Sequence, residues 1–154
     1  MHISVICVGK SKSGPEKTLV DDYVTRFERA GPGIGLRSLK IVEVADGGGL
    51  DTEAERLLAK IPRGGRVLRL DEYGPQWTST AFADKLGSWR DAGTPQLSFL
   101  IGGAAGYGSS VREAYPQSLA FGPQTWPHRL VRAMLCEQLY RAVSLLAGLP
   151  YHKA

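Results

Sequence analysis

The residues best suited to chemistry lie in the last third of the chain, around a glycine-rich loop. An apolar run at 97–101 leads directly into Gly102-Gly103-Ala104-Ala105-Gly106-Tyr107-Gly108. Glycine lets backbone N–H groups approach a bound molecule without a Cβ in the way, so a strand that opens into such a loop is typical of a ligand pocket. A flexible loop that only satisfies turn geometry has a similar composition. The loop by itself therefore indicates a candidate site and does not identify its ligand.

Two further segments carry a histidine that could move a proton. Thr125-Trp126-Pro127-His128-Arg129 opens a long segment with an apolar stripe, and Pro150-Tyr151-His152-Lys153 comes near the end of the sequence. A histidine at a helix start is often only a cap or a packing residue, although an imidazole can also act as a general base. An ordinary chain end frays and needs no aromatic ring, imidazole and cation side by side. We expect this tail to be functional and, because Pro150 prevents helical continuation, free to reach a bound nucleotide.

The elements that must position these residues follow a regular alternation. Apolar runs at 3–8, 36–44, 67–70, 97–101 and 119–121 alternate with segments of helical period, which predicts a parallel sheet flanked by helices. Thr52 with Glu55, and Ser110 with Glu113, have capping-box spacing and predict two helix starts. The strands that end near residues 70, 101 and 121 should meet at the edge where open α/β sheets bind ligands. The prediction is one α/β domain over residues 1–154.

Composition narrows the class of protein and of partner. The chain has 154 residues, 43% of them hydrophobic, which is enough for one compact domain with its own core. A net charge of +4 favours an anionic partner such as nucleic acid, although many basic proteins bind none. Cys7 and Cys136 lie in apolar stretches without a Cys-x-x-Cys pair, so we expect buried free thiols in a reducing cytoplasm and no zinc. With no long apolar run, we expect a soluble, unexported protein that does not enter the membrane.

Two nucleotide-binding motifs are incomplete. Gly9-Lys10-Ser11 resembles the end of a phosphate-binding loop, but Ser4 stands where that motif needs a glycine. Gly106-Tyr107-Gly108 is followed by Val111 at the position of the third glycine of a dinucleotide-binding turn. These departures disfavour a nucleotide-binding protein that uses the glycine loop for phosphate.

The same segments, taken in order, resemble one known family. The matching residues are Leu70-Asp71 with Gly74 and Trp77, Ile101-Gly102-Gly103 with Gly106, Pro127-His128, Leu130-Val131-Arg132, Glu137, Tyr140-Arg141-Ala142 and Pro150-Tyr151-His152-Lys153. This pattern is similar to that of the RlmH family of SPOUT-class methyltransferases over nearly the whole chain. The departures are Ala104-Ala105 in the variable part of the loop and Lys153 where some relatives carry Arg.

The resemblance implies an α/β/α sandwich built on a parallel sheet, with a C-terminal trefoil knot, in a homodimer. It also implies methyl transfer from S-adenosylmethionine to N3 of a pseudouridine in the 23S rRNA of the assembled ribosome, with no metal. By the same resemblance the catalytic candidates are His128, Tyr151, His152 and Lys153. The cofactor-binding candidates are Leu70, Gly102, Gly103, Gly122, Pro123, Gln124, Thr125, Trp126 and Pro127.

The chemistry that this activity requires is mostly alignment. Transfer from a sulfonium to a ring nitrogen is a one-step in-line displacement, so donor and acceptor must be held in line while the N3 proton leaves. An imidazole or a cation could assist that loss, Tyr151 could stack on the base, and Lys153 or Arg129 could hold phosphate. The residues do not single out the proton acceptor. The alternative is a basic ribosome-binding factor that kept the fold and lost the reaction, and the intact glycine and tail motifs argue against it.

Overall fold

The computed structural model describes the backbone of residues 1–153 and the side chains of residues 1–151. Within that range the strands are β1 (His2–Val8), β2 (Ser38–Val44), β3 (Arg66–Leu70), β4 (Gln96–Ile101) and β5 (Ser118–Leu119). The α-helices are α1 (Pro15–Ala30), α2 (Leu50–Leu58), α3 (Ser79–Asp91), α4 (Ser109–Ala114) and α5 (His128–Ala147), with short 3-10 helices at Pro32–Ile34 and Pro150–Lys153. The predicted alternation of strands and helices is confirmed.

All strands join one parallel sheet in the order β2-β1-β4-β3-β5. The two central strands, β1 and β4, are covered on both faces, and residues 97–101 of β4 are buried without interruption. Because neither face of such a strand meets water, its sequence is a continuous apolar run instead of an alternating one. The apolar runs of the sequence therefore marked the central strands most clearly.

Helices cover both faces of this sheet. Helices α1, α3 and α5 pack on one face in a core that includes Phe27, Phe82 and Leu139. Helices α2 and α4 pack on the other face around Leu57 and Val111. Connections that lead to a strand nearer the β2 edge pass over the face of α1, α3 and α5, and those that lead to a strand nearer the β5 edge pass over the other face. This is the arrangement that results when all crossovers have the same handedness. The three-layer α/β/α arrangement is therefore confirmed.

The starts of α2 and α4 differ from the prediction. Each helix begins directly after a glycine, Gly49 or Gly108, and within the described residues neither start has a side-chain cap. Thr52 and Ser110 consequently lie inside their helices, and both capping-box predictions are wrong. Gly49 has a φ of 91°, a backbone conformation that glycine adopts without strain, so the chain enters α2 there. The side-chain cap belongs to α3, where the Thr78 hydroxyl accepts a 3.1 Å hydrogen bond from a first-turn N–H.

The remaining expectations concern termini, thiols and hydropathy. Helix α5 ends at Gly148, which has a φ of 72°, the left-handed conformation that glycine commonly adopts just past a helix end. Cys7 and Cys136 are buried free thiols, and burial raises the pKa of each to about 12, which leaves both uncharged at neutral pH. Among the helices of the described chain, none is long and apolar enough to cross a bilayer.

Candidate functional site

A cleft of about 690 Å³ opens at the carboxyl ends of β3, β4 and β5. Its walls are formed by residues 70–73, 101–107, 119–121 and 124–128, with Arg112 and Val131 completing the lining. This volume lies within the range of small-molecule and cofactor sites, which is about 300–1,000 Å³. The three strand ends that were predicted to meet at one edge of the sheet therefore surround one cavity.

Most of the cofactor-binding candidates line this cleft, namely Leu70, Gly102, Gly103, Gln124, Thr125, Trp126 and Pro127. Gly122 lines a neighbouring cavity of about 360 Å³ instead, which shares the 119–121 wall with the cleft. Pro123 is exposed and borders neither of these two cavities of the described structure. The Trp126 indole N–H donates a 2.9 Å hydrogen bond to the Phe121 carbonyl, which holds the ring at the mouth of the cleft.

The two glycines that open the loop are explained first by contacts within the protein. A Cβ on Gly102 would lie 2.8 Å from the Gly106 carbonyl oxygen, and a Cβ on Gly103 would lie 3.1 Å from the side chain of Val8. The Gly106 N–H donates to the Gly103 carbonyl over 3.0 Å and closes the turn. We expected the approach of a ligand to explain both glycines, but closure of the loop already requires Gly102.

Tyr107 ties two walls of the cleft together. Its side chain is buried, and its hydroxyl lies 2.6 Å from the Leu100 carbonyl oxygen and 2.9 Å from that of Leu70. Burial raises the pKa of Tyr107 far above its usual range, so the hydroxyl stays protonated and donates. One side chain therefore links the ends of β3 and β4. The sequence patterns did not single out Tyr107, although a large aromatic residue among small ones was an available signal.

A buried charge network forms another side of the cleft. The Asp71 carboxylate accepts hydrogen bonds from Arg69 over 2.6 Å and from Arg112 over 3.0 Å. Burial acts to raise the pKa of Asp71, but a backbone N–H and the two guanidinium groups outweigh it and hold the pKa below its usual range. The Asp71 side chain is only 8% exposed, although adjacent carboxylates in a loop usually face water. Glu72 is exposed and accepts a hydrogen bond from the Thr125 hydroxyl on the next cleft segment.

His128, the first residue of α5, lines the cleft. Burial lowers the pKa of His128, the positive charges of Arg132 and Arg129 lower it further, and Asp46 opposes them. The imidazole is therefore neutral at neutral pH and can accept a proton. A Cβ on Gly9 would lie 3.8 Å from its Nε2 atom, so the loop after β1 borders the same position.

The tail folds back onto α5. The Tyr151 hydroxyl donates to Glu137 over 3.0 Å and lies 3.2 Å from the hydroxyl of Tyr23. Its ring packs against Tyr140 at a centroid distance of 4.8 Å, with the Arg141 guanidinium 5.0 Å from the ring centroid. The expectation that this residue extends freely is therefore wrong, because aromatic packing and a bond to a carboxylate hold it against the helix.

His128 and Tyr151, two of the four catalytic candidates, do not meet within one chain. Residues 128 and 137 are nine positions apart on α5, which corresponds to about 13 Å at 1.5 Å per residue, and Tyr151 is bound at the far end of that interval. The side chains of His152 and Lys153 lie outside the described residues. Of the two described candidates, His128 lines the cleft of its own chain and Tyr151 does not. No group of three or more His, Cys, Asp or Glu side chains gathers as a metal site in the described part.

Known proteins resemble this chain over its whole length. Residues 1–152 match a family model described as "Predicted SPOUT methyltransferase". A protein named Ribosomal RNA large subunit methyltransferase H from Hyphomonas neptunium is 56% identical over 154 residues, covering 100% of both chains. One of the same name from Dinoroseobacter shibae is 48% identical over 155 residues and 99% of each chain. A solved methylase family protein from Neisseria gonorrhoeae aligns with a TM-score of 0.47 at 11% identity, over 90% of this chain and 81% of that one.

Proposed function

The chain belongs to the SPOUT methyltransferase family, and on that premise we propose that it transfers the methyl group of S-adenosylmethionine to ribosomal RNA of the large subunit. The relatives named for that activity support the choice of substrate. The observation that carries the proposal is the cleft at the ends of β3, β4 and β5, where a neutral His128 faces a space of cofactor size.

The cleft has the character that this cofactor needs. A volume of about 690 Å³, an apolar wall at Leu70 and Trp126, and a glycine turn with accessible backbone suit an adenosine group with a short amino-acid chain. We assign the adenine to the segments around Leu70 and Trp126 and to the wall at residues 119–121 that leads to Gly122, where main-chain N–H and C=O groups can read the base edge. When bound, the cofactor supplies an electrophilic methyl group on a sulfonium. The protein supplies alignment and a route for the proton.

We further propose that the acceptor is N3 of a pseudouridine in the 23S rRNA of the assembled ribosome, in line with the resemblance to the RlmH family. The N3–H group is weakly acidic, so a base next to it assists the attack of the nitrogen on the methyl carbon. His128 has the suitable protonation state, because its pKa is lowered by burial and by Arg132 and Arg129. In this proposal His128 accepts or relays the N3 proton.

Two copies of the chain form the working enzyme in our proposal. Tyr151 is bound about 13 Å along α5 from His128, so Tyr151 does not serve the cleft of its own chain. A second copy beside the cleft would supply Tyr151, His152 and Lys153 to the bound nucleotide. Tyr73 at 86% and Trp126 at 39% exposure present apolar surface at the mouth of the cleft for such a contact.

The finer features of the fold belong to the same proposal. We expect the C-terminal third to be threaded as a trefoil knot, which the family resemblance supports and which general topology rules would not anticipate. We also expect residues 1–154 to act as one domain in the cytoplasm, where the ribosome is found.

A methyl-transfer assay tests the proposal directly. Ribosomes from a bacterial strain that lacks this modification are incubated with the protein and methyl-labelled S-adenosylmethionine, and mass spectrometry of rRNA fragments locates the label. We expect one methyl group per ribosome, on N3 of one pseudouridine. Label at another atom would contradict the N3 assignment, and absence of label would contradict the enzyme.

Calorimetric titration separates the alternative functions. We expect binding of S-adenosylmethionine and S-adenosylhomocysteine and no binding of ATP. A ribosome-binding factor that lost the reaction would bind ribosomes and neither cofactor form. A protein that uses the glycine loop for phosphate would bind ATP.

A further inference from the structure

We propose that the loop between β1 and α1, residues 9–14, is a second contact surface for the substrate, on which Lys10 and Lys12 bind RNA phosphates next to the methylated nucleotide. This inference rests on the proposed function and adds a docking surface outside the cleft. Two observations support it. Hydrogen bonds to side chains of α5 and β2 hold the loop backbone in place, and among the described residues neither lysine forms a salt bridge with an acid of the protein.

A buried ion pair fixes the start of the loop. Arg132 on α5 is 3% exposed, donates to Glu43 over 2.6 Å and donates to the Gly9 carbonyl over 3.1 Å. The Ser11 N–H donates to the same Glu43 carboxylate over 2.7 Å. Removing one partner of a buried pair is strongly unfavourable, so this anchor holds two loop positions in place. A loop that is already ordered loses less entropy when it binds a partner.

The loop also lies beside the reaction centre. Arg129, in the first turn of α5, donates to the Lys10 carbonyl over 3.3 Å. Gly9 approaches the His128 ring so closely that a Cβ there would stand 3.8 Å from Nε2. Lys10 is the next residue along the chain, and consecutive Cα atoms are about 3.8 Å apart, so the Lys10 backbone lies close to the His128 ring. A nucleotide held at His128 would therefore have its flanking phosphates next to this loop.

The charges of this surface favour a polyanion. Lys10, Lys12 and Arg129 are all exposed, and in the part of the chain that the structure describes neither lysine has a salt-bridge partner. The nearby Glu43 is occupied by Arg132 and by a loop N–H. The acids that oppose the patch are Asp46, which acts on the pKa of His128, and Glu16, whose carboxylate would lie 3.4 Å from a Cβ on Gly14. Asp21 borders the same side of the loop but is paired with Lys17. Lysine binds phosphate as a point charge without reading sequence, which suits the backbone of a strand whose target base is inside the cleft.

The test compares two double variants that remove the same charge. Lys10→Ala/Lys12→Ala removes the two loop lysines and keeps the loop's hydrogen bonds, because those use backbone atoms of residues 9–11. Lys40→Ala/Lys60→Ala removes two exposed lysines, one in β2 and one just beyond the end of α2, away from the cleft. The dissociation constant for unmethylated large ribosomal subunits is measured for the parent and both variants as a function of potassium chloride concentration. S-adenosylmethionine binding is measured by calorimetry on the same proteins.

Counterion release sets the expected size of the effect. Each lost phosphate contact should lower the slope of log affinity against log salt by about 0.7 to 1, so the loop variant should lose about 1.4 to 2. Near 0.1 M salt this corresponds to binding weaker by at least about tenfold. We expect the control variant to stay close to the parent, and S-adenosylmethionine binding to be equal in all three proteins.

Three results would overturn the inference in distinguishable ways. If the loop variant has the same affinity and slope as the control, the loop does not contact RNA, although the proposed function stands. If the loop variant loses S-adenosylmethionine affinity, the loop belongs to the cofactor site instead. If the parent neither binds nor methylates the subunits, the proposed function fails and the docking surface fails with it.

Discussion

Replacing Tyr107 with Phe tests whether one buried hydroxyl holds the cleft in shape. The substitution keeps the ring and removes the donor that lies 2.9 Å from the Leu70 carbonyl oxygen and 2.6 Å from that of Leu100. Leaving a buried acceptor without its partner costs about 1–3 kcal/mol, and we expect about 2 kcal/mol because a single proton serves the two oxygens. For a chain of this size each kcal/mol lowers Tm by about 2–4 °C, so Tyr107→Phe should melt roughly 4–8 °C below the parent.

The same change should weaken cofactor binding. Leu70 ends β3 and Leu100 is the next-to-last residue of β4, so loss of the link between them lets the walls of the cleft separate. We expect a several-fold increase in the dissociation constant of S-adenosylmethionine, which is a loss below about 1.4 kcal/mol. Thermal melting by circular dichroism and calorimetric titration measure the two quantities.

Tyr115→Phe is the matched control. Tyr115 is also partly buried near α4, and its hydroxyl has no hydrogen-bond partner among the described residues. Its removal should move Tm by less than about 2 °C, since no buried acceptor loses a donor. A Tyr107→Phe protein that melts with the control and binds the cofactor as the parent does would refute the structural role of the hydroxyl.

Three further changes test other parts of the site. Gly102→Ala places a Cβ 2.8 Å from a loop carbonyl and should weaken S-adenosylmethionine binding by more than about tenfold. The control Gly33→Ala, whose Cβ would have nothing within 4 Å, should not weaken binding. Equal dissociation constants for the two variants would contradict the steric argument. Deleting residues 151–154 should lower Tm by about 2–8 °C, since the Tyr151 contacts are worth about 1–2 kcal/mol at a half-buried site. Unchanged melting would show that the tail is not held. The pKa of His128 is lower in the folded state, so the free energy of unfolding should fall as pH drops below about 6.5. Urea titrations at several pH values should show a smaller fall for His128→Gln than for the parent. Equal pH dependence in the two proteins would exclude the pKa shift.

The sequence predicted the structure best where the composition of a segment follows directly from its place in the sheet. Runs such as 97–101 are apolar throughout because both faces of a central parallel strand are covered, so the strand positions followed from composition. A strand that ends in a glycine loop, followed by a helix that begins at His128, likewise placed most of the cleft-lining residues in order along the chain. The strand order β2-β1-β4-β3-β5 was not predictable in this way, because parallel strands carry little information about which neighbour they pair with.

Tertiary structure decided the roles of several side chains. Asp71 and Glu72 are adjacent in sequence, yet one is buried between Arg69 and Arg112 while the other stays exposed, because only tertiary packing brings Arg112 of α4 to the end of β3. Tyr151 follows a helix-breaking proline, a pattern that predicts a free end, but the folded chain offers it Glu137 and an aromatic neighbour.

One physical reason separates the features that the sequence predicts from those that only the tertiary structure decides. Strand, helix and turn preferences depend on a residue and its near neighbours, so the sequence by itself determined the alternation of elements, the glycine loop and the end of α5 at Gly148. A contact between residues far apart in sequence depends on the free energy of the whole packed chain. For that reason only the tertiary structure decided that Tyr107 joins β3 to β4, that Arg132 anchors the loop after β1, and that the tail lies about 13 Å along α5 from His128.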